Sequence, residues 1–280
     1  MKKKKILLTG SNGQLGSAVK RFFNKKNYNL KNVDRKYLTV YSQKKLINLI
    51  DDFSPDIIIN TAAIVGLKKT ILNKQETEEI NQILPKTLTG ISRNKNIHLI
   101  QISTHSVFDG CINQNGFDES FNPKPLSFYS TTKTNAEDIV ISGCKNFTIL
   151  RLPYIYSSNF EKKTNVLMKI VEDINSGTVN INKKEISSLV HVNSAVKAIN
   201  DIILNNANGV YHCSDIGTFD WYNLIIYISK LMKLNVKVKD NTISNSISKN
   251  TTLLSQKPFF GYNSWKHGVR EVIMSLKKSN

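Results

Sequence analysis

Three side chains in this sequence have the types and spacing to manage a proton at a carbonyl oxygen. Tyr129-Ser130-Thr131-Thr132-Lys133 sets a phenol and an ammonium four residues apart, hence on one face of a helix. A lysine charge favours the phenolate, so the pair predicts a phenol pKa below its usual value of about 10 and a tyrosine able to give or take a proton near neutral pH. The same spacing recurs at Tyr41/Lys45 and Tyr262/Lys266, so spacing alone selects none of them. The setting selects Tyr129. Upstream of it the apolar run 97–102 ends in Ser103-Thr104. A hydroxyl at the end of such a strand lies where open α/β sheets bind ligands, and Thr104 there can hold a carbonyl or alkoxide for the pair to protonate.

A second constellation supplies a place for a cofactor. Ile6-Leu7-Leu8-Thr9 is an apolar run followed by Gly10-Ser11-Asn12-Gly13-Gln14-Leu15-Gly16, and a helical pattern (Leu15, Val19, Phe22, Phe23) begins within it. Glycines spaced G-x-x-G-x-x-G between a strand and a helix let the backbone turn tightly and approach a diphosphate, which the helix N-terminus then stabilises. Further on, Asp34 at the end of a second strand could accept the ribose 2′-hydroxyl of NAD, and Arg35 could meet the 2′-phosphate of NADP. An exposed turn is the other reading of these two residues.

The elements that must position these groups alternate from the start. Strands are expected at 28–33, 56–60, 97–102 and 147–152. Helices are expected near 42–53, with Ser42 as N-cap and Pro55 as terminator, through 80–91, where Pro85 sits awkwardly, and at 127–142. The run 56–60 is continuously apolar until Asn60, the pattern of a strand buried on both faces. Repeated βα units imply an α/β fold with a doubly wound parallel sheet over 1–152. After Pro153 the rhythm changes: helix 166–174, strand 186–192, helix 194–204, strand 209–213, a helix capped by Thr218 or Asp220 and running to 234, a polar loop 242–255 and a closing helix 265–276. We read 153–280 as a smaller, partly interleaved substrate-binding lobe, some of whose segments return to the sheet.

Composition narrows the alternatives. The chain has 280 residues, 40% of them hydrophobic, and a formal net charge of +18. The cations are scattered (Lys25-Lys26, Lys68-Lys69, Lys183-Lys184) without interleaved aromatics, so specific nucleic-acid binding is not indicated and an anionic substrate is. Apolar runs are too short for a membrane span, and the lysines at 2–5 lead straight into a strand, which makes the cytoplasm the expected location. Cys111, Cys144 and Cys213 have neither disulfide parity nor metal-ligand spacing, so no metal is expected.

Taken together, Gly10 to Gly16, Pro55-Asp56-Ile57-Ile58-Ile59-Asn60-Thr61-Ala62-Ala63, Ile102-Ser103-Thr104 through Val107-Phe108-Asp109-Gly110, and Tyr129 to Lys133 resemble the extended short-chain dehydrogenase/reductases. The likeness is greatest to their dTDP-4-dehydrorhamnose reductase branch. Gly209-Val210-Tyr211-His212 followed by Trp221-Tyr222 extends it into the second lobe. The resemblance implies a Rossmann domain, NADPH or NADH as cofactor, a nucleotide-sugar substrate and the catalytic set Thr104, Tyr129 and Lys133. It also implies that Ala62 and Ala63 lie against the dinucleotide, that Tyr129 and Lys133 touch it too, and that Arg151-Leu152-Pro153 leads toward the nicotinamide.

There are departures. Ser103-Thr104 is followed by His105-Ser106 where the branch reads Asp-Tyr, so His105 and Ser106 join Thr104 as candidate substrate contacts. The acidic pattern that follows the paired alanines in the branch is replaced by Leu67, Lys68 and Ile71, and the Arg-Pro substrate signature is not evident at 249–255. Nucleotide-sugar 4,6-dehydratases carry Asp-Glu after the catalytic Thr, so dehydration is not expected. A 4-keto-6-deoxy-sugar reductase leads, a 4-epimerase or a non-catalytic dinucleotide-binding regulatory subunit stays open, and so does a homodimer.

Overall fold

The computed structural model describes residues 3–159, 165–241, 249–257 and 263–279. In chain order its first elements are β1 (Lys5–Thr9), α1 (Gln14–Asn24), β2 (Asn29–Val33), α2 (Gln43–Phe53), β3 (Ile57–Asn60), α3 (Leu67–Leu72), α4 (Lys74–Glu78), α5 (Leu84–Lys95), β4 (His98–Thr104), α6 (Phe128–Gly143) and β5 (Phe147–Leu152). The strand Gly209–His212 joins these five in one six-stranded sheet, ordered Gly209–His212, β5, β4, β3, β1, β2. The pairs β2–β1, β1–β3 and β3–β4 run parallel. This is the α/β, Rossmann-like sheet expected from the alternation.

Strands β1 and β3 are buried on both faces, as their unbroken apolar runs require: Ile6, Leu7, Leu8 and Ile57 to Ile59 are all essentially inaccessible. On one face Leu7, Ile58, Leu99 and Ile149 meet Leu46 and Ile50 of α2, Leu84 and Leu88 of α5, and Val140 of α6.

Two local expectations change. Ser42 stands before α2 but makes no cap bond, because it ends a short turn (Val40–Ser42) and donates its hydroxyl to the Lys36 carbonyl at 2.6 Å. Pro85 does not break its helix. A π turn, Glu79–Ile83, precedes α5 and places the proline in the first turn, where a missing N–H costs little.

The chain divides into two compact units, Met1–Gly110 with Asn122–Arg151 and Val196–Tyr211, and Cys111–Phe121 with Leu152–Ala195 and His212–Asn280. Two stretches therefore cross the 152/153 line, 111–121 in one direction and 196–211 in the other. The second unit has its own core, in which Leu167, Ile170 and Ile174 of the helix Val166–Asn175 meet Leu224 and Ile228 of Trp221–Met232 and Val269 and Ile273 of Trp265–Ser279.

Asp220, not Thr218, caps the middle helix, accepting from the Asn223 N–H at 2.8 Å. The strand expected at 186–192 is two, Glu185–Ser187 and Leu189–His191, because each pairs with a different partner. Of the loop expected at 242–255, residues 242–248 lie outside the described residues, and Lys249–Asn250 pairs as a short strand with Glu185–Ser187. Among the described residues no helix is long and apolar enough to cross a membrane.

Candidate active site

Sheet register brings the glycine turn to the carboxyl edge. Thr9 pairs with Val33 on one side and Asn60 on the other, so Gly10 leaves the sheet between Asp34 and Thr61. Strand order reverses here, because β2 follows β1 outward and β3 returns on its other side. Gly10 has φ +70°, and a Cβ there would stand 2.6 Å from the Ala62 backbone nitrogen. The Gly13 N–H closes the turn on the Gly10 carbonyl at 2.9 Å. A Cβ on Gly16 would run into that carbonyl and lie 2.7 Å from Thr61 Oγ1, so α1 is seated directly on the turn.

The helix starts after Gly13 with no side-chain cap and no acid in its first turn. Its positive end is not neutralised by a carboxylate of its own, which suits a diphosphate. Around it Ser11, Gln14, Leu15 and Ala62 are buried, Ala63 is partly buried and Asn12 is exposed. Asp34 and Arg35 lie at the end of β2 on exposed backbone, where Arg35 pairs with Glu76 and Asp34 lies 4.0 Å from Lys36.

A chain of buried hydrogen bonds runs from this turn across the sheet. Thr9 Oγ1 donates to Asn60 Oδ1 at 2.5 Å, Asn60 Nδ2 to Gln101 Oε1 at 2.8 Å, and Gln101 Nε2 to the Ile102 carbonyl at 3.0 Å. That carbonyl also accepts from Lys133 Nζ at 2.7 Å. Buried amides in central strands need such partners. Their signal in the sequence is a polar residue at the end of one apolar run, Asn60, and inside another, Gln101. Asn81 is a third such residue. Lying in the π turn, it accepts from the Ile64 N–H at 2.9 Å and donates to the Ile64 carbonyl and to Thr132 Oγ1 of α6.

Thr104 and Tyr129 meet because two turns are tied together. Thr104 ends β4 and its Oγ1 accepts from the Ser106 N–H at 3.1 Å, capping the turn His105–Phe108. The next residue, Asp109, accepts from the Leu126 N–H at 2.5 Å, the Ser127 N–H at 3.2 Å and Ser130 Oγ at 2.9 Å. Ser127 and Ser130 form a reciprocal capping box at the start of α6. The Asp109 carboxylate thus anchors the first turn of the helix that carries Tyr129 to the turn that carries Thr104. Gly110 is required beside it, since a Cβ would stand 2.5 Å from the Lys124 carbonyl.

The Tyr129 side chain is hydrogen-bonded to Thr104. Its pKa is not lowered as the Tyr-Lys spacing predicts. Burial pushes the phenol up to about 12, and the Thr104 contact offsets only part of that. The Lys133 ammonium is turned onto the Ile102 carbonyl, and burial lowers its pKa to about 8 against the pull of Glu137. At neutral pH the site therefore holds a protonated phenol and a largely protonated amine. A phenol held in its acid form beside a hydroxyl can donate a proton to an oxygen that gains charge.

His105 is buried, which removes a solvated role, and Ser106 is partly buried beside it. Pro153, directly after β5, is buried. Of the competing pairs, the structure describes Tyr41/Lys45 and sets it apart. Tyr41 is 89% exposed and precedes α2 instead of sharing it with Lys45, while Tyr262 lies outside the described residues.

Comparison with known proteins gives the family and the fold. The family model described as the RmlD substrate binding domain matches residues 4–274. The spore coat polysaccharide biosynthesis protein SpsK of Bacillus subtilis is 24% identical over 218 residues, covering 78% of this chain and 76% of that protein. The dTDP-4-dehydrorhamnose reductase of Aggregatibacter actinomycetemcomitans is 25% identical over 239 residues, covering 80% and 78%. A crystal structure of dTDP-4-dehydrorhamnose reductase from Bacillus anthracis in complex with NADP has a similar fold, with a TM-score of 0.88 and 22% identity over 98% of this chain and 100% of that one.

Proposed function

The chain belongs to the RmlD substrate binding domain family, and from that premise we propose that it reduces the 4-keto group of a nucleotide-linked 4-keto-6-deoxy sugar with NADPH or NADH. One observation carries the reading: Tyr129 is hydrogen-bonded to Thr104 while Lys133, one helical turn on, is buried against the end of β4.

In this reading the glycine turn 10–16 holds the diphosphate through backbone and the N-terminus of α1, and Ala62 and Ala63 border the dinucleotide with Pro153. Asp34 and Arg35 face its ribose, Arg35 in competition with Glu76. The nicotinamide, when bound, supplies the hydride. Thr104 holds the carbonyl oxygen, and Tyr129, fully protonated below its raised pKa, delivers the proton as that oxygen becomes an alkoxide. Lys133, held on the Ile102 carbonyl one helical turn from Tyr129, would meet the nicotinamide ribose, and its charge would help stabilise the phenolate left behind. His105 and Ser106 contact the sugar where the branch has other residues.

The test is NADPH or NADH oxidation across a panel of nucleotide-linked 4-keto-6-deoxy sugars, with product masses. One reduced cofactor consumed per sugar and a gain of two hydrogens are expected. Loss of water from a plain nucleotide-linked hexose, or dinucleotide binding without turnover of any keto sugar, would overturn the reading.

A further inference from the structure

One helical turn beyond Lys133, α6 carries a buried carboxylate. Arg151 in β5 meets it side-on, its Nε donating to Glu137 Oε1 and Oε2 at 3.0 and 3.1 Å and its NH2 to Oε2 at 2.6 Å. The two side chains are 3% and 1% exposed. The guanidinium carbon also lies 5.0 Å from the ring centroid of Phe108, which is fully buried and ends the turn that Thr104 caps. Arg151 therefore touches both halves of the candidate catalytic set, α6 through Glu137 and the Thr104 turn through Phe108.

Stability does not account for such a pair. Desolvating two ions offsets most of their attraction, and well-packed apolar residues of similar volume do as well or better. What a planar fork adds is fixed geometry. We propose that Arg151 and Glu137 are positioning residues that fix the place and charge of Lys133 and the approach of the Thr104 turn to α6. This rests on the reading of Thr104, Tyr129 and Lys133 as the catalytic set.

The electrostatics follow from the geometry. Lys133 feels the Glu137 carboxylate on its own helix, and Asp138, also on α6, feels both Glu137 and Arg151 of β5. Glu137 is the one whose field sustains the Lys133 ammonium against burial. Arg151 neutralises that carboxylate in part. Removing Arg151 exposes Lys133 to the full negative charge, and removing Glu137 leaves burial unopposed.

Carbon-13 NMR of protein labelled at lysine Cε reads this without turnover. A lysine titrating near pH 8 stands apart from exposed lysines, and loss of its signal in Lys133→Met assigns it. The Lys133 midpoint should fall by about one pH unit in Glu137→Gln and rise by about one in Arg151→Met. The double variant Arg151→Met/Glu137→Leu, which leaves no buried charge unpaired and so keeps the fold if a single variant loses it, should show the lowered midpoint. Its kcat should drop at least about tenfold, with the KM for the keto sugar little changed. A midpoint within about 0.3 unit of wild type in every folded variant would overturn the proposal. If the midpoints move as stated but the wild type reduces no keto sugar, the charge coupling stands and the functional reading fails.

Discussion

The two ends of β4 hold buried titratable groups in opposite ways. At the amino end, His98 lies against Thr148, whose hydroxyl donates to the Ala207 carbonyl, so the imidazole Nε2 carries the proton and donates to Thr148 at 2.8 Å. Hydroxyl, ring and carbonyl form a closed series, and burial together with the nearby Lys4 charge lowers the histidine pKa to about 4. At the carboxyl end, Thr104, Tyr129 and Lys133 converge from a strand end and a helix, and the neighbouring Ser103 keeps a buried hydroxyl with no partner. His98, Thr104 and Lys133 are all buried, while Tyr129 is partly exposed. What differs is whether the polar groups are used up by one another, and only the carboxyl edge keeps acid, hydroxyl and ammonium at one place.

The sharpest break in this comparison is at the phenol. Tyr129→Phe removes the transferable proton and keeps the ring, so turnover should fall at least about a hundredfold with cofactor affinity nearly unchanged. Tyr41→Phe, with the same spacing to a lysine, should leave turnover untouched. Near-normal rates in Tyr129→Phe would take the residue out of the mechanism.

The amino end should show in stability, not in rate. The folded-state pKa of His98 lies below its unfolded value of 6.5. The unfolded chain therefore binds a proton that the folded one refuses, and stability present above pH 6.5 is lost as pH falls toward 4. This contribution amounts to on the order of 3 kcal/mol at pH 4. Urea unfolding at pH 7 and pH 4 should show the difference shrink by that amount in His98→Gln. An unchanged difference would mean that another group carries the acid sensitivity.

Next in size is Gly16→Ala. Its Cβ meets backbone that cannot move aside, which should cost about 1–3 kcal/mol in unfolding experiments and weaken NADPH binding in calorimetry. Full stability together with full affinity would show that α1 need not sit on the turn.

The smallest effect concerns cofactor choice. On the proposed reading, in which Arg35, paired with Glu76, also meets the ribose, NADPH and NADH should differ in kcat/KM by no more than about tenfold, and Arg35→Ser should move the ratio toward NADH by about 1.4 kcal/mol. A hundredfold preference in the wild type, or no response to Arg35→Ser, would show that this side chain does not reach the ribose.

Much of this was legible without coordinates. The apolar runs of the strands, the glycine spacing and the Tyr-Lys pair each follow from local rules, because strand burial, tight turns and helix faces depend on neighbours within a few residues. Pro85 was legible only as a problem, since nothing local announces a π turn. The direction of the Tyr129 shift was misjudged because spacing reports that a lysine is near and says nothing of where its ammonium points or how dry the site is. Asp109 and Gly110 belonged to a recognisable motif, but their work, tying the Thr104 turn to the start of α6, depends on partners beyond the motif.

By itself, then, the sequence determined the βα alternation, the glycine turn at the end of β1 and the helix that places Tyr129 and Lys133 on one face, since periodicity and backbone freedom are properties of the chain. Tertiary structure alone decided that the Tyr129 side chain meets the Thr104 hydroxyl. It likewise decided that Lys133 is held by the Ile102 carbonyl, that Asn60 and Gln101 link it to the glycine turn, and that Arg151 grips Glu137 beneath it. Those are contacts between residues far apart along the chain, and their strength comes from burial, which no local pattern of residues can report.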